Sequence, residues 1–416
     1  MLKRIESFLV NFIKKHSVLR RFVRFMLLHL RRMSFKLSTA GCKTDSKTVV
    51  FASFQGLSYC DSPKAIYEYM ISKDEFKDFR FIWAFKEPQR YGDILSDPRT
   101  KVIKVDSKSF KKALGTAKYW VFNYKIHDHF APKKDQIFLQ CWHGTPLKRL
   151  GCDLVNFNNA MNTLSEIRMR YKIETQKIDF FISPSAFASE KFISAWNMKE
   201  LGKESIILEE GYPRNDILKN YTQEDVLRVR KSLGIEADKK IILYAPTYRD
   251  NQHSSKKGSY TYNTEVNFDR LREHFGKEYV ILFRPHWLVA RDFDFEKHSG
   301  FVYDVSGFDD ISELYIISDL LITDYSSVFF DFANLKRPIV FYMYDLEAYR
   351  DDIRGFYLDI SELPGNIVTH EDALIEEINK AKNFVYTDKY KFFNDTYNYL
   401  DDGNATLRVV RRVFNG

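Results

Sequence analysis

From residue 47 onward, short apolar runs alternate with helix-like stretches, and the alternation begins twice. The first series is TVVFAS (48–53), FRFIWAF (79–85), KVIKV (101–105), YWVFN (119–123), IFLQCW (137–142) and DFFIS (179–183). The second is IILYAP (241–246), YVILFRP (279–285), LLIT (320–323) and PIVFY (338–342). Strands alternating with helices predict parallel sheets covered on both faces. The break between the series, near 211–240, holds the turn-rich GYPRND and a charged helix, YTQEDVLRVRKSLGIEADKK, that stops at Gly234. At 416 residues the chain exceeds the ~250–300 that one core usually serves. Two α/β halves of similar size are therefore expected, with a cleft between them. The divisions expected are 1–40, 41–215, 216–385 and a helical segment 386–416.

The net charge of +8 is concentrated at one end. Residues 1–37 carry ten Lys or Arg against Glu6 alone, which leaves 54 bases and 55 acids elsewhere. In this segment Leu2, Ile5, Leu9, Phe12 and Ile13 fall at helical spacing, as do Leu19, Phe22, Val23, Met26 and Leu30. The longest uncharged run nearby, Phe25 to Leu30, is far short of the ~20 residues that span a bilayer. Basic amphipathic helices of this kind suit the surface of an anionic membrane, and docking on the body of the protein is the alternative. No nucleic-acid module surrounds the bases, so nucleic acid is not an expected partner. The four cysteines (Cys42, Cys60, Cys141, Cys152) form no CxxC pair, which fits a reducing compartment.

Open α/β sheets bind ligands beyond the C-terminal ends of their strands, and five polar clusters lie near such ends or at the break. They are His143-Gly144-Thr145-Pro146 with Lys148, Pro213-Arg214-Asn215, Thr247-Tyr248-Arg249, Arg284-Pro285-His286, and Thr323-Asp324-Tyr325-Ser326-Ser327. Ser326 or Ser327 at a helix start could simply cap it, a contribution of roughly 1 kcal/mol. The same hydroxyls beside free amides could instead hold a phosphate. Arg249, Arg284 and His286 would share the charge of a diphosphate, a task suited to the guanidinium fork. The chain has no GxGxxG and no Walker lysine loop. SFQGLSYCDSPKAIYEY (53–69) offers Gly56, Asp61 and Lys64 to an acceptor; the alternative is an ordinary turn capped at Ser62, with Pro63 first in the helix. No metal site is expected, because the acids of RDFDF and the pair Asp351-Asp352 do not sit at strand ends.

QCWHGTPLKRLG, GYPRNDIL, ILYAPTYRD, FRPHW and ISDLLITDYSSVFFDFANLKRPIVFY resemble the CDP-glycerol glycerophosphotransferase family of teichoic-acid primases and polymerases. The likeness runs in family order from about residue 47 to about 385. It implies a GT-B fold of two Rossmann-like domains preceded by membrane-attaching basic helices. It also implies transfer of a polyol phosphate from a CDP-polyol to a lipid-linked acceptor hydroxyl, releasing CMP at the cytoplasmic face of the membrane. The acceptor expected is an undecaprenyl-diphosphate-linked saccharide or polyol phosphate. No cofactor is required beyond the CDP-polyol donor.

By position, His143 is expected as the base, His286 near the donor phosphates, and Ser326 and Ser327 on the pyrophosphate. Asp324 is expected to orient a histidine or meet the acceptor. Pro213, Arg214, Asn215, Thr247, Arg249, Arg284 and Thr323 complete the donor side, and Gly56, Asp61, Lys64, Gly144, Thr145 and Lys148 the acceptor side. Trp287 departs from the family pattern, where a second proline is common after Arg-Pro-His. A GT-B glycosyltransferase using a sugar nucleotide is the alternative, since it would share the cleft.

Overall fold

The computed structural model describes residues 17–155, 162–247, 266–285, 290–291, 293–347 and 355–415. Strands β1 (Asp45–Ala52), β2 (Arg80–Phe85), β3 (Thr100–Lys104), β4 (Ala117–Phe122), β5 (Ile137–Gln140), β6 (Phe180–Ser183) and β7 (Ile207–Glu209) make one sheet. A second comprises β8 (Lys240–Ala245), β9 (Tyr279–Phe283), β10 (Val302–Asp304), β11 (Leu320–Thr323), β12 (Ile339–Tyr342) and β13 (Asn366–Val368). The strand orders are β3-β2-β1-β4-β5-β6-β7 and β10-β9-β8-β11-β12-β13. All pairings between these strands are parallel. Both sheets therefore reverse direction between their first and fourth strands, at β1/β4 and β8/β11. Ligand crevices form at such switch points.

Alternation along each strand fills two cores per sheet. Val49 and Phe51 face one core while Val50 and Ala52 face the other. In β8, Ile241, Leu243 and Ala245 point one way and Ile242 and Tyr244 the other. Every strand expected from sequence is present. The additional ones, β7, β10 and β13, are edge-lying triplets (ILE, VYD, NIV) too short to show alternation.

The C-terminal region straddles the two halves. Tyr390, Phe393 and Tyr397 of helix Asp388–Tyr397 join the second sheet's core. Helix Ala405–Phe414 returns to the first, where Val409, Val410, Val413 and Phe414 are buried and Phe414 lies 4.6 Å from Tyr119, ring to ring.

Helix Ser17–Thr39 is amphipathic, but its sides are used differently from the sequence expectation. Part of its basic side docks on the protein: Arg20 and Arg24 pair with Glu166 at 3.2 and 2.9 Å, and Arg32 donates to the Asp128 carbonyl. Phe35 packs on Phe130. Phe22, Met26, Leu30, Met33 and Leu37, spaced three and four apart, stay exposed, Leu37 by 76%. No helix among the described residues is long and apolar enough to cross a membrane.

Candidate active site

The end of β5 aims His143 into the cleft through a local reversal. Trp142 adopts φ +49, and its amide donates to Gln140 Oε1 at 2.9 Å. This turns the next residue back toward β4, where His143 Nδ1 lies 2.6 Å from the carbonyl of Asn123. A carbonyl can only accept, so Nδ1 carries the proton and Nε2 presents a lone pair. Trp142 and Phe54 flank the imidazole at 4.1 and 5.6 Å between ring centroids. His143 is open to solvent at the cleft, yet closely surrounded by protein. This crowding brings its pKa down to about 4, with the charge of Arg214 acting in the same sense and the Asn123 carbonyl opposing. The ring is neutral at physiological pH, as a base must be.

Asn123 also fixes the neighbouring loop, because its Oδ1 accepts the Phe54 amide at 2.8 Å. Phe54, Gln55 and Gly56 have φ of +46, +60 and +81. A left-handed Phe and Gln are uncommon and costly, and such strain collects at functional sites. Gly56 is needed for space: a Cβ there would lie 2.7 Å from Val105 Cγ1 and 3.0 Å from the Ala84 carbonyl.

On the opposite wall, the segment after β11 meets the segment after β8. Asp324, buried, accepts the Thr247 amide at 2.9 Å and the Tyr325 amide at 2.5 Å. Thr323 donates its hydroxyl to the Ala245 carbonyl. Ser327 precedes helix Val328–Phe332, but its side chain makes no capping bond, so the capping reading fails for it. Its hydroxyl instead faces the first wall: a Cβ added to Gly144 would lie 2.6 Å from Ser327 Oγ. The loops after β5 and β11 thus touch, which brings together two clusters 180 residues apart in the chain. Arg284 Nη1 donates to the carbonyls of Val305 and Phe308, both at 2.8 Å, so part of its guanidinium holds a loop. Arg249 and His286 lie outside the described residues, as do Tyr248 and Trp287.

Several expected ligand residues prove to join the two halves. Arg214 is buried and forks onto Asp331 at 2.9 and 3.1 Å, with Asp61 3.8 Å away. Asn215 donates to Asp331 and Asp401, and Asp401 also accepts the Tyr212 amide. Pro213 opens the short helical turn that presents this pair. Arg214 and Asn215 thus form a buried polar bolt between the halves, within which Arg214 Nη1 and Asn215 Oδ1 make no hydrogen bond among the described residues.

Lys64 is likewise bound across the halves by Asp310 at 2.9 Å and Glu313 at 3.0 Å. Asp61 is buried with φ +65; burial raises its pKa against the pull of Arg214. Helix Asp61–Ile71 begins two residues ahead of Pro63, and Ser62 accepts the Arg214 amide in place of capping. Thr145 is buried, and Lys148 bridges in antiparallel fashion to Phe356. The flanking bonds Tyr357 N to Leu147 O and Arg149 N to Gly355 O make this a second seam between the halves.

Asn123, Trp142, Phe54, Asp331 and Asp401 escaped sequence reasoning. Asn123 and Trp142 end apolar runs that read as strand, and only the run-ending polar amide of YWVFN hinted at a site.

Two doubly wound parallel sheets, meeting at loops that carry a neutral histidine and a serine pair, define an α/β protein built for chemistry at a cleft. Residues 33–415 match the model of the CDP-Glycerol:Poly(glycerophosphate) glycerophosphotransferase family, and the chain belongs to that family. It is 38% identical over 371 residues to a teichoic acid poly(glycerol phosphate) polymerase of Bacillus spizizenii, covering 89% of this chain and 92% of the relative. It is 37% identical to a teichoic acid glycerol-phosphate transferase of Staphylococcus aureus, covering 94% and 98%. The solved wall teichoic acid polymerase TagF superposes with a TM-score of 0.84 at 37% identity, covering 98% of each chain. The chain spans about half the length of some other polymerases of the family.

Proposed function

We propose that the chain transfers glycerol phosphate or ribitol phosphate from a CDP-polyol to a hydroxyl of a lipid-linked acceptor, in teichoic acid or related polymer synthesis. The observation that carries this reading is His143: a neutral imidazole with Nδ1 pinned by Asn123 and Nε2 left to take a proton. In the reaction the acceptor hydroxyl gives its proton to Nε2 as its oxygen bonds to the donor's β-phosphorus. The bond from that phosphorus to the bridging oxygen breaks, and CMP leaves with the electron pair. General base catalysis of this kind is typically worth ~10²–10⁴-fold.

The donor side is assigned to the second half in a GT-B arrangement. Ser326 and Ser327 face the diphosphate, His286 and Arg249 are assigned to it by their motifs, and Arg284 adds charge from a position steadied by the 305–308 loop. Asp324 acts as a positioning residue that shapes the Thr247 turn. Gly144 leaves room for the Ser327 hydroxyl at the meeting of the walls. Fixed dipoles and bases at such a junction stabilise charge developing in phosphoryl transfer.

The exposed stripe of helix Ser17–Thr39 would lie in the cytoplasmic surface of the membrane, which holds the lipid-linked acceptor near the cleft. The test is incubation with CDP-glycerol, CDP-ribitol and sugar nucleotides, with acceptor mass followed. Added polyol-phosphate units support the reading. Addition of a sugar alone would replace it with the glycosyltransferase alternative.

A further inference from the structure

A pocket of about 160 Å³ lies over the C-terminal edge of the first sheet, lined by Gln55, the chain neighbour of the Phe54 that flanks His143. Four adjacent strands contribute to it from the segments that follow them: Gln55 after β1, Lys86 after β2, Asp106 after β3 and Lys125 after β4. His127, Arg170 and Tyr124 complete its polar lining. Four of these seven residues have basic side chains, and the one acid, Asp106, lies 3.7 Å from His127 Nε2. Arg170 reaches Asp128 at 3.4 Å. Lys125 differs from them. Its ammonium sits 3.8 Å from the centre of the Tyr171 ring and has no hydrogen-bond or ion-pair partner among the described residues.

The backbone under the pocket is strained and fixed. Five of the seven non-glycine residues with positive φ among those described (Phe54, Gln55, Asp61, Asp106 and Trp142) occupy this edge of the sheet. The Lys86 amide is tied to the Gly56 carbonyl at 2.7 Å and the Val105 amide to Phe85 at 2.9 Å. The pocket is also coupled to the base. Lys125 follows Asn123 by two residues, a reach of roughly 7 Å, and Asn123 holds both the His143 ring and the Phe54 amide.

We propose that this pocket holds a phosphate of the acceptor, so that the hydroxyl next to it along the chain arrives at His143. The inference rests on the transfer reaction proposed above. A phosphodiester of a growing polyol-phosphate chain and the diphosphate of the lipid linkage share the required chemistry: a compact anion next to the reacting hydroxyl. Burial lowers the Lys125 pKa to about 8, with Arg170 and Lys177 acting in the same sense and Glu174 and Asp128 opposing. A bound phosphate would reverse part of that cost, and the ring of Tyr171 keeps the ammonium facing one way.

The test compares the wild-type protein with Lys125→Gln and Lys125→Arg, using CDP-glycerol or CDP-ribitol, whichever is active. Three acceptors are used: a soluble analogue ending in one polyol phosphate, the same analogue without phosphate, and a lipid-diphosphate saccharide. Lys125→Gln should raise KM about tenfold or more for an acceptor bearing the recognised phosphate. KM for the phosphate-free analogue and for the donor should not move, and Lys125→Arg should restore most of the loss. The acceptor that responds, polyol phosphate or lipid diphosphate, identifies the source of the phosphate. Equal KM values for wild type and Lys125→Gln on all acceptors would overturn the inference, as would an equal rise on all three. Absence of transfer by the wild type from either CDP-polyol would instead defeat the underlying reaction.

Discussion

The Asn123 carbonyl and His143 Nδ1 are 2.6 Å apart, and this contact sets both the tautomer and the direction of the imidazole. Because the partner is the Asn123 backbone, no change to the Asn123 side chain removes this acceptor without moving β4. The orientation of the base is thereby built into the sheet itself.

With His143 held near a pKa of about 4, the acid limb of kcat/KM should lie well below the ordinary histidine value of 6.5. Activity should be nearly flat from pH 5.5 to 7.5, as measured at constant ionic strength. A limb centred near 6.5 would mean that the crowding is absent. Stability follows the same linkage. Between about pH 4 and 6.5 the unfolded chain binds a proton that the folded site rejects. This contribution is therefore complete above 6.5 and is lost as pH falls toward 4.

Arg214→Ala should destabilise the fold by ~3–5 kcal/mol, the usual cost of stranding a buried partner, here Asp331 with Asp61 close by. Chemical denaturation checks it. KM for the CDP-polyol in the folded variant should change little, since Arg214 is part of the bolt. A large rise in donor KM with unchanged stability would return Arg214 to the donor site.

Gly144→Ala should push the Ser327 hydroxyl out of its place, because its Cβ would sit 2.6 Å from Ser327 Oγ, while the next contact, Ser327 Cβ, is at 3.4 Å. Misplacement near 1 Å at a reacting centre costs up to ~10²-fold in rate, and thermal stability should hardly change. Ser327→Gly in the same chain removes the obstructing atom. It should relieve the clash but not the loss of the hydroxyl, so Gly144→Ala should cost far less in the Ser327→Gly background than alone.

Met33→Glu with Leu37→Glu should weaken binding to lipid vesicles at least tenfold, since each buried apolar side chain is worth ~1.5–3 kcal/mol. Arg20, Arg24 and Arg32 are engaged by the body of the protein, so salt should weaken the wild-type affinity without abolishing it. Binding that vanishes at high salt would indicate that the basic side, rather than the apolar stripe, meets the membrane.

The sheets were legible because their strands are long apolar runs at regular intervals, and the polar ends of IFLQCW and LLIT marked where the walls would meet. What stayed hidden depends on tertiary contact. GYPRND looks like a ligand cluster in sequence, yet Arg214 and Asn215 find Asp331 and Asp401, more than 110 positions away. Lys64 similarly finds Asp310 and Glu313. A run of charged residues near a cleft can serve the cleft or join its walls, and local sequence does not separate the two. The same holds for the N-terminal helix, whose amphipathic pattern was clear while the side facing outward was set by Glu166 and Asp128.

Whether His143 is the base of a polyol-phosphate transfer is decided by following acceptor mass and CMP release for wild type and His143→Asn. Both proteins should be folded to the same extent and given a CDP-polyol and a lipid-linked acceptor. The wild type should add polyol-phosphate units, and the variant should lose ~10²-fold or more in kcat with donor KM nearly unchanged. Transfer by the variant at close to the wild-type rate would contradict that role.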